Sequence, residues 1–326
     1  MRLLVTGGAG FIGSQLLRHL VIGYPSYEIV CVDKLTYSSD YSAIADLENH
    51  PNYSFVNLDI TDLSAVKKLF DHYSFTHIVH LAAESHVDNS IKDPLIFAKT
   101  NVLGTLNLLE GARASNENQA RLFYHISTDE VFGSLNKKGS FNENTRYAPR
   151  SPYSASKASS DHFVRAYGAT YGLPYIISNC SNNYGPGQHD EKLIPTVISS
   201  VLRGQSIPVY GTGDNIRDWL YVEDHIRAID RILHYGKVGE TYCIGGDTEL
   251  SNLELVHLIV DEIDHQLGNA PGTSKDLISF VEDRMGHDFR YAVDHSKLTK
   301  ALGWKPTVSL KDGIKTTVSW YLNRAK

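Results

Sequence analysis

Cysteine is scarce in this chain: three among 326 residues, Cys31, Cys180 and Cys243, far apart and odd in number. They offer neither a disulfide framework nor a metal-ligand spacing, so they read as reduced, buried thiols of a cytoplasmic protein. Excess positive charge is missing too, since 31 Lys and Arg face 37 Asp and Glu for a net charge of -6. Without a basic footprint a nucleic-acid partner is excluded, and any anionic ligand must be held by individual Arg and Lys side chains. No run of 18 or more apolar residues occurs, which excludes a membrane-spanning helix. The first apolar run starts at Leu3, which leads us to expect no cleavable leader. Internal repeats and low-complexity tracts are absent. What remains is an ordinary globular composition, long enough for two lobes around a cleft.

Short apolar runs alternate with amphipathic stretches through the first half. Residues 3–6, 28–33, 53–57, 77–81, 121–127 and 175–178 read as strands, and 12–22, 63–72, 95–114 and 153–171 as helices. That alternation predicts an α/β fold, a doubly wound parallel Rossmann sheet whose ligands bind beyond the carboxyl ends of the strands. After Ser178 the texture shifts to an Asn- and Gly-rich loop, short strands and turns. We therefore expect a dinucleotide-binding domain over 1–178 and a smaller α/β substrate lobe over 179–326. A helix at 222–235 and a strand at 240–244 predict that 222–245 returns to the first domain. The tail carries helix patterns at 252–267, 295–302 and 310–323.

Gly7, Gly10 and Gly13 lie between the first strand and the first helix, with Phe11 and Ile12 inside the loop. A dinucleotide pyrophosphate needs backbone N–H groups there and no side chains. Asp33 ends the second strand 20 residues after Gly13, followed by Lys34, Leu35 and Thr36. Its carboxylate would accept from the adenosine ribose hydroxyls and repel a 2'-phosphate, which points to NAD as cofactor. Asp59 and Ile60, then Leu81, Ala82 and Ala83, end the third and fourth strands and should border the same ligand.

Tyr153 and Lys157 are four apart on a predicted helix and share a face. A phenol acting as base near neutral pH needs its pKa lowered by about 3 units, roughly 4 kcal/mol, and a neighbouring ammonium supplies that push. Thr128, Asp129 and Glu130 follow an apolar run. Simple hydride transfer has no use for two carboxyls, so the pair points to a second proton-transfer step.

The glycine loop, Tyr153-x-x-x-Lys157 and the two-lobed length resemble the extended short-chain dehydrogenase/reductases that act on nucleotide sugars. Within that group, Ala83–Asp88, Ser127–Gly133, Cys180–Pro186, Glu191–Pro195, Arg217–Trp219 and Asp283–Asp288 are similar to the dTDP-glucose 4,6-dehydratases. The resemblance implies dehydration of dTDP-glucose to dTDP-4-keto-6-deoxyglucose by a homodimer. In that scheme Tyr153 deprotonates the sugar 4-hydroxyl as a hydride leaves C4, and Thr128 hydrogen-bonds the same oxygen. Glu130 then takes the C5 proton, Asp129 protonates the departing C6 hydroxyl, and the hydride returns to C6. Asp129 must therefore be held protonated by burial and by Glu130.

It further implies Thr100 and Asn183 as cofactor contacts and Ser85 as a border between both ligands. Asn182, Lys192, Leu193, Pro208, Val209, Tyr210, Asn252 and His287 would contact the substrate, with Arg217 and Arg284 on its diphosphate. Gly187 to Asp190 and Met285 depart from the aromatic and proline residues usual there. Another nucleotide sugar such as a UDP-sugar, or a 4-epimerase reaction, is the alternative reading.

Overall fold

The computed structural model describes residues 1–114 and 122–324. Six strands of the first half are β1 (Arg2–Thr6), β2 (Glu28–Asp33), β3 (Tyr53–Asn57), β4 (His77–His80), β5 (Leu122–Thr128) and β6 (Tyr175–Cys180). With Thr241–Ile244 they form a seven-stranded sheet in the order Thr241–Ile244, β6, β5, β4, β1, β2, β3. Every pairing is parallel. The strand order reverses between β1 and β4, and the carboxyl ends of those two strands open the crevice where a doubly wound sheet binds its ligand.

The period-two alternation of buried strands splits the core between two faces. Leu3, Val5, Ile29 and Cys31 pack with Leu16, Leu20, Ile226 and Ile229 on one side. Leu4, Val30, Ile78 and Phe123 pack with Phe70, Leu108 and Val164 on the other. Two helices, Phe11–Gly23 and Val222–Tyr235, cover the first face, while Leu63–His72, Gly104–Ala114 and Pro152–Tyr171 cover the second. Strand Thr241–Ile244 pairs with β6, so the chain does come back to this sheet after its excursion.

A separate apolar cluster joins helices Leu193–Arg203, Asn252–Leu267 and Leu310–Arg324 to strands Ile207–Tyr210 and Ile216–Tyr221. Ile216–Tyr221 is the centre of a three-stranded sheet between Asn182–Tyr184 and Glu249–Ser251. Among the described residues no helix is long and apolar enough to cross a membrane.

The element read as one helix over 95–114 differs. It is an α-turn Pro94–Phe97, a π-helical stretch Ala98–Leu103 and an α-helix Gly104–Ala114. Within the wide turn the Asn101 carbonyl accepts from the hydroxyls of Thr105 and Ser160, both at 2.6 Å. Apolar spacing does not report such a bulge, because side chains on either side keep nearly the same face; π-bulges concentrate at functional sites. Expected strand residue Arg121 lies outside the described residues.

Candidate active site

The glycine loop is built for close approach. Gly7 has a positive φ of 75°, and a Cβ there would stand 2.6 Å from the Ala82 nitrogen. At Gly13 a Cβ would stand 2.1 Å from the Gly7 carbonyl oxygen. Neither position tolerates a side chain, and the backbone between them is left open to a ligand. Asp33 closes the far side: its carboxylate accepts from the Ala9 and Leu35 amides at 3.0 and 2.8 Å and from the Ser39 hydroxyl at 3.0 Å. Leu35 itself sits at φ 57° with its side chain turned outward. The buried Thr100 hydroxyl has no partner among the described residues, although it lines the cleft. A glycine cradle, a strand-end carboxylate and an unpaired hydroxyl suit NAD.

One cleft collects most of the residues expected from sequence. Gly7, Gly10, Phe11, Ile12, Gly13, Asp33, Lys34, Thr36, Ile60, Leu81, Ala82, Ala83, Ser85 and Thr100 line it together with Thr128, Asp129, Glu130, Tyr153, Lys157, Asn182, Asn183 and Lys192. Asp59 stands at its edge, 3.7 Å from the Lys34 ammonium. Tyr210, Arg284 and His287 form a second group in the smaller lobe. There the Arg284 guanidinium lies 2.5 Å from the Asp88 carboxylate and over the Tyr210 ring, with the His287 ring edge-on to Tyr210. Arg217 is buried and donates to the Asp288 carbonyl at 3.1 Å. Leu193 packs on the second-lobe core, and Val209 turns its side chain fully into it. Pro208 is exposed, and Asn252 opens the helix Asn252–Leu267 with its amide bonded to the Asn215 carbonyl.

Thr128 is the last residue of β5 and caps the turn Asp129–Phe132, accepting from the Glu130 amide at 3.2 Å. This turn throws Asp129 inward, where it is 1 % exposed. Burial, then Glu130, then Asp218 hold its carboxyl well above the usual range. Glu130 is also raised by burial, but Arg217, Lys192 and Arg284 pull it back. Both carboxyls are raised by burial and both feel Arg217, but Asp129 has Glu130 and Asp218 pushing it further up while Glu130 has Lys192 and Arg284 as additional cations favouring its charge. That inequality is what an acid and a base working side by side require.

Helix Pro152–Tyr171 starts sharply because Ser151 and Ser154 form a reciprocal cap, with Pro152 at the first position. Tyr153 and Lys157 consequently share the buried face. The expected lowering of the Tyr153 phenol is corrected by the structure: burial, then Glu130 and Cys180, push it well up, against a smaller downward pull from the Thr128 hydroxyl. Lys157 is occupied elsewhere, donating to the Ile126 carbonyl at 2.8 Å. Burial lowers its pKa to about 8, against an upward pull from Asp161. A cation bound in the cleft would oppose the rise at Tyr153.

Residues that sequence reading missed lie behind this pair. His125 Nε2 is 3.4 Å from Lys157 Nζ and 3.2 Å from the Asp161 carboxylate, all three residues being buried. Asp161 also accepts from the Tyr147 hydroxyl at 2.6 Å. Burial opposes its charge, yet His125, Lys157 and Tyr147 hold it below the usual carboxylate range. Its signal was available, because Tyr153, Lys157 and Asp161 recur at four-residue steps along one helix face. Asn101 was missed as well; its amide ties the Glu84 backbone to the Ser156 hydroxyl across the cleft floor.

Comparison with known proteins agrees with this geometry. A family model described as GDP-mannose 4,6 dehydratase matches residues 4–317. The chain is 49% identical to dTDP-glucose 4,6-dehydratase 1 of Escherichia coli K12, over all of this chain and 94% of that one. The chain belongs to the nucleotide-sugar 4,6-dehydratase family. A probable dTDP-glucose 4,6-dehydratase of Sinorhizobium fredii is 51% identical over 99% of this chain and 93% of its own. The crystal structure of a dTDP-glucose 4,6-dehydratase from Streptomyces venezuelae, solved with NAD bound, matches with a TM-score of 0.92 and 44% identity, covering 99% of this chain and 97% of that one.

In a dehydratase with this site, Asp161 is the anion that keeps Lys157 charged. Asp161→Asn should lower the pH at which Lys157 loses its proton from about 8. The alkaline limb of the kcat/KM profile should then move down by roughly 1 pH unit or more. An unmoved limb would mean that Asp161 only packs.

Proposed function

We propose that this protein dehydrates dTDP-glucose to dTDP-4-keto-6-deoxyglucose, using bound NAD. The observation that carries this is the carboxyl pair on the cleft wall beside Tyr153, with Asp129 buried and raised well above the usual carboxylate range and Glu130 beside Arg217, Lys192 and Arg284. A 4-epimerase needs only the tyrosine end of this arrangement.

In this reading Tyr153 takes the proton of the sugar 4-hydroxyl, and Thr128 orients the same oxygen. The glycine cradle and Asp33 would hold NAD, which when bound would supply the acceptor for the C4 hydride and the source of the C6 hydride. The 4-ketone acidifies C5, so Glu130 removes that proton, helped by the field of Arg217, Lys192 and Arg284. Asp129 gives its proton to the C6 hydroxyl, which departs as water. Each positioned proton transfer is worth about 100 to 10,000 in rate.

In this reading Arg217 and Arg284 hold the substrate diphosphate. Arg284 already pairs with the Asp88 carboxylate through two nitrogens, and the same planar guanidinium suits a phosphate. Weakened dTDP binding in Arg284→Ala is the readout, and unaltered affinity would contradict the placement. Three free, buried cysteines suit a reducing cytoplasm.

We read the assembly as a homodimer through the helices at 94–114 and 152–171. Leu95 is 78% exposed and Leu103 53%, with Phe163 and Tyr171 also exposed. Leu109, on the same helical segment, turns the other way and packs with the sheet-side core. Sedimentation as a monomer at micromolar concentration would contradict the dimer.

Substrate carrying deuterium at C4 should yield product with deuterium at C6, with no NAD added during turnover. Washout of the label would sink the scheme. Glu130→Gln should stop at an enzyme-bound 4-keto-glucose, whereas Tyr153→Phe should form none.

A further inference from the structure

The neighbours of Asn183 fix which way its amide points. Asn183 lies on strand Asn182–Tyr184 and lines the cleft. Its side-chain nitrogen donates to the Ser181 carbonyl at 3.0 Å and to Cys180 Sγ at 3.4 Å. A carbonyl oxygen accepts and cannot donate, so the atom that faces Ser181 has to be the nitrogen, and both amide protons are spent inside the protein. The other amide atom, Oδ1, faces His225, whose Nδ1 is 2.8 Å away.

An amide oxygen likewise only accepts, so His225 Nδ1 carries the proton of this bond. His225 stands in the first turn of helix Val222–Tyr235 and is fully buried. Burial lowers its pKa to about 3, which leaves the ring neutral near pH 7 and Nε2 bare. Nε2 has no partner among the described residues. His225 occupies one of the two lone pairs of Asn183 Oδ1. The second lone pair is the one hydrogen-bonding function the Asn183 side chain keeps free among the described residues, and it is an acceptor. Cys180, which Asn183 touches, acts electrostatically on both Tyr153 and Lys157, so this is the redox end of the cleft. Asp33 and the adenosine end lie on the far side. At the redox end the amide donor of NAD is its carboxamide N–H2.

We propose that His225 is a positioning residue, whose Nδ1–H holds Asn183 Oδ1 as the acceptor for the carboxamide N–H2 of NAD. This rests on the cofactor reading above and adds to it a residue outside the cleft and a polarity for the contact. A nicotinamide held by its carboxamide is kept from turning about its bond to the ribose, so one ring face stays toward the sugar. The bond also joins the two parts of the molecule. His225 belongs to the helix that packs on the first face of the large sheet, and Asn183 to a strand paired with Ile216–Tyr221 in the second lobe.

The test is a competition between NAD and 3-acetylpyridine adenine dinucleotide, in which a methyl group replaces the carboxamide N–H2 and the carbonyl is kept. Holoenzyme is equilibrated with mixtures of the two, and the bound nucleotides are released by denaturation and counted. Wild-type protein should favour NAD by about 2- to 10-fold, the contribution of one neutral hydrogen bond. His225→Leu should bring the two nucleotides to parity. His225→Asn, whose Nδ2 overlays the imidazole Nδ1, should keep the preference. A loosened fold would weaken both nucleotides alike, so a preference that survives in His225→Leu would overturn the proposal, as would parity in the wild type. Nitrogen-15 spectra of the wild-type histidines test it without a variant that must lose the bond: the His225 proton should sit on Nδ1 at about pH 7, and a proton on Nε2 would overturn the orientation. Wild-type protein that retains neither nucleotide would instead overturn the cofactor reading, so the two failures are distinct.

Discussion

A carboxyl taken out of water beside other carboxyls keeps its proton, and the rest of this site is arranged around that fact. Asp129 is driven inward by the turn that ends β5, with Glu130 next to it and Asp218 behind it. Charging it there would cost desolvation and repulsion together. It therefore remains an acid at a pH where an exposed aspartate is a base. Glu130 shares the burial but faces Arg217, Lys192 and Arg284, so its charge is tolerated. The two side chains have nearly the same intrinsic pKa, so the difference between them follows from their neighbours: carboxyls around Asp129, and Lys192 and Arg284 in addition to the shared Arg217 around Glu130.

A second field, from the helix Pro152–Tyr171, governs the redox end. Lys157 is buried and lowered to about 8, and Asp161, one turn further on, works against that lowering. His125 sits between them, itself lowered to about 4 by burial and by Lys157, so it is neutral packing across which an anion and a cation act on each other. Opposite charges this deep interact much more strongly than at the surface. Their net value is a poised lysine charge, which a hydrophobic replacement could not supply. The second lobe contributes differently: its cations reach toward the carboxyl pair while its own apolar cluster stands apart from the sheet.

Much of this was legible in the sequence because it depends on local pattern. Strand and helix alternation gave the doubly wound sheet, and the glycine spacing together with Asp33 gave the cradle. Thr128, Asp129, Glu130, Tyr153 and Lys157 lie in two short segments whose spacing reports their faces. What escaped depends on contacts distant in sequence. The π-helical stretch at Ala98–Leu103 is fixed by Ser160 reaching across to the Asn101 carbonyl. His125 becomes part of the site only because β5 packs beneath the helix that carries Asp161. The phenol of Tyr153 was expected to be lowered by a lysine one turn away. Spacing cannot tell that this lysine is bonded to Ile126, or that burial of the phenol outweighs it.

The protonation of Asp129 at neutral pH is the claim on which the chemistry turns, and infrared spectroscopy reads it directly. The carbonyl stretch of a protonated carboxylic acid should be present in the wild-type protein at pH 7 and should disappear in Asp129→Asn. It should persist in Glu130→Gln, where Asp218 and burial still act on Asp129, but titrate at a lower pH. A wild-type spectrum at pH 7 with only ionised carboxylates would contradict the account.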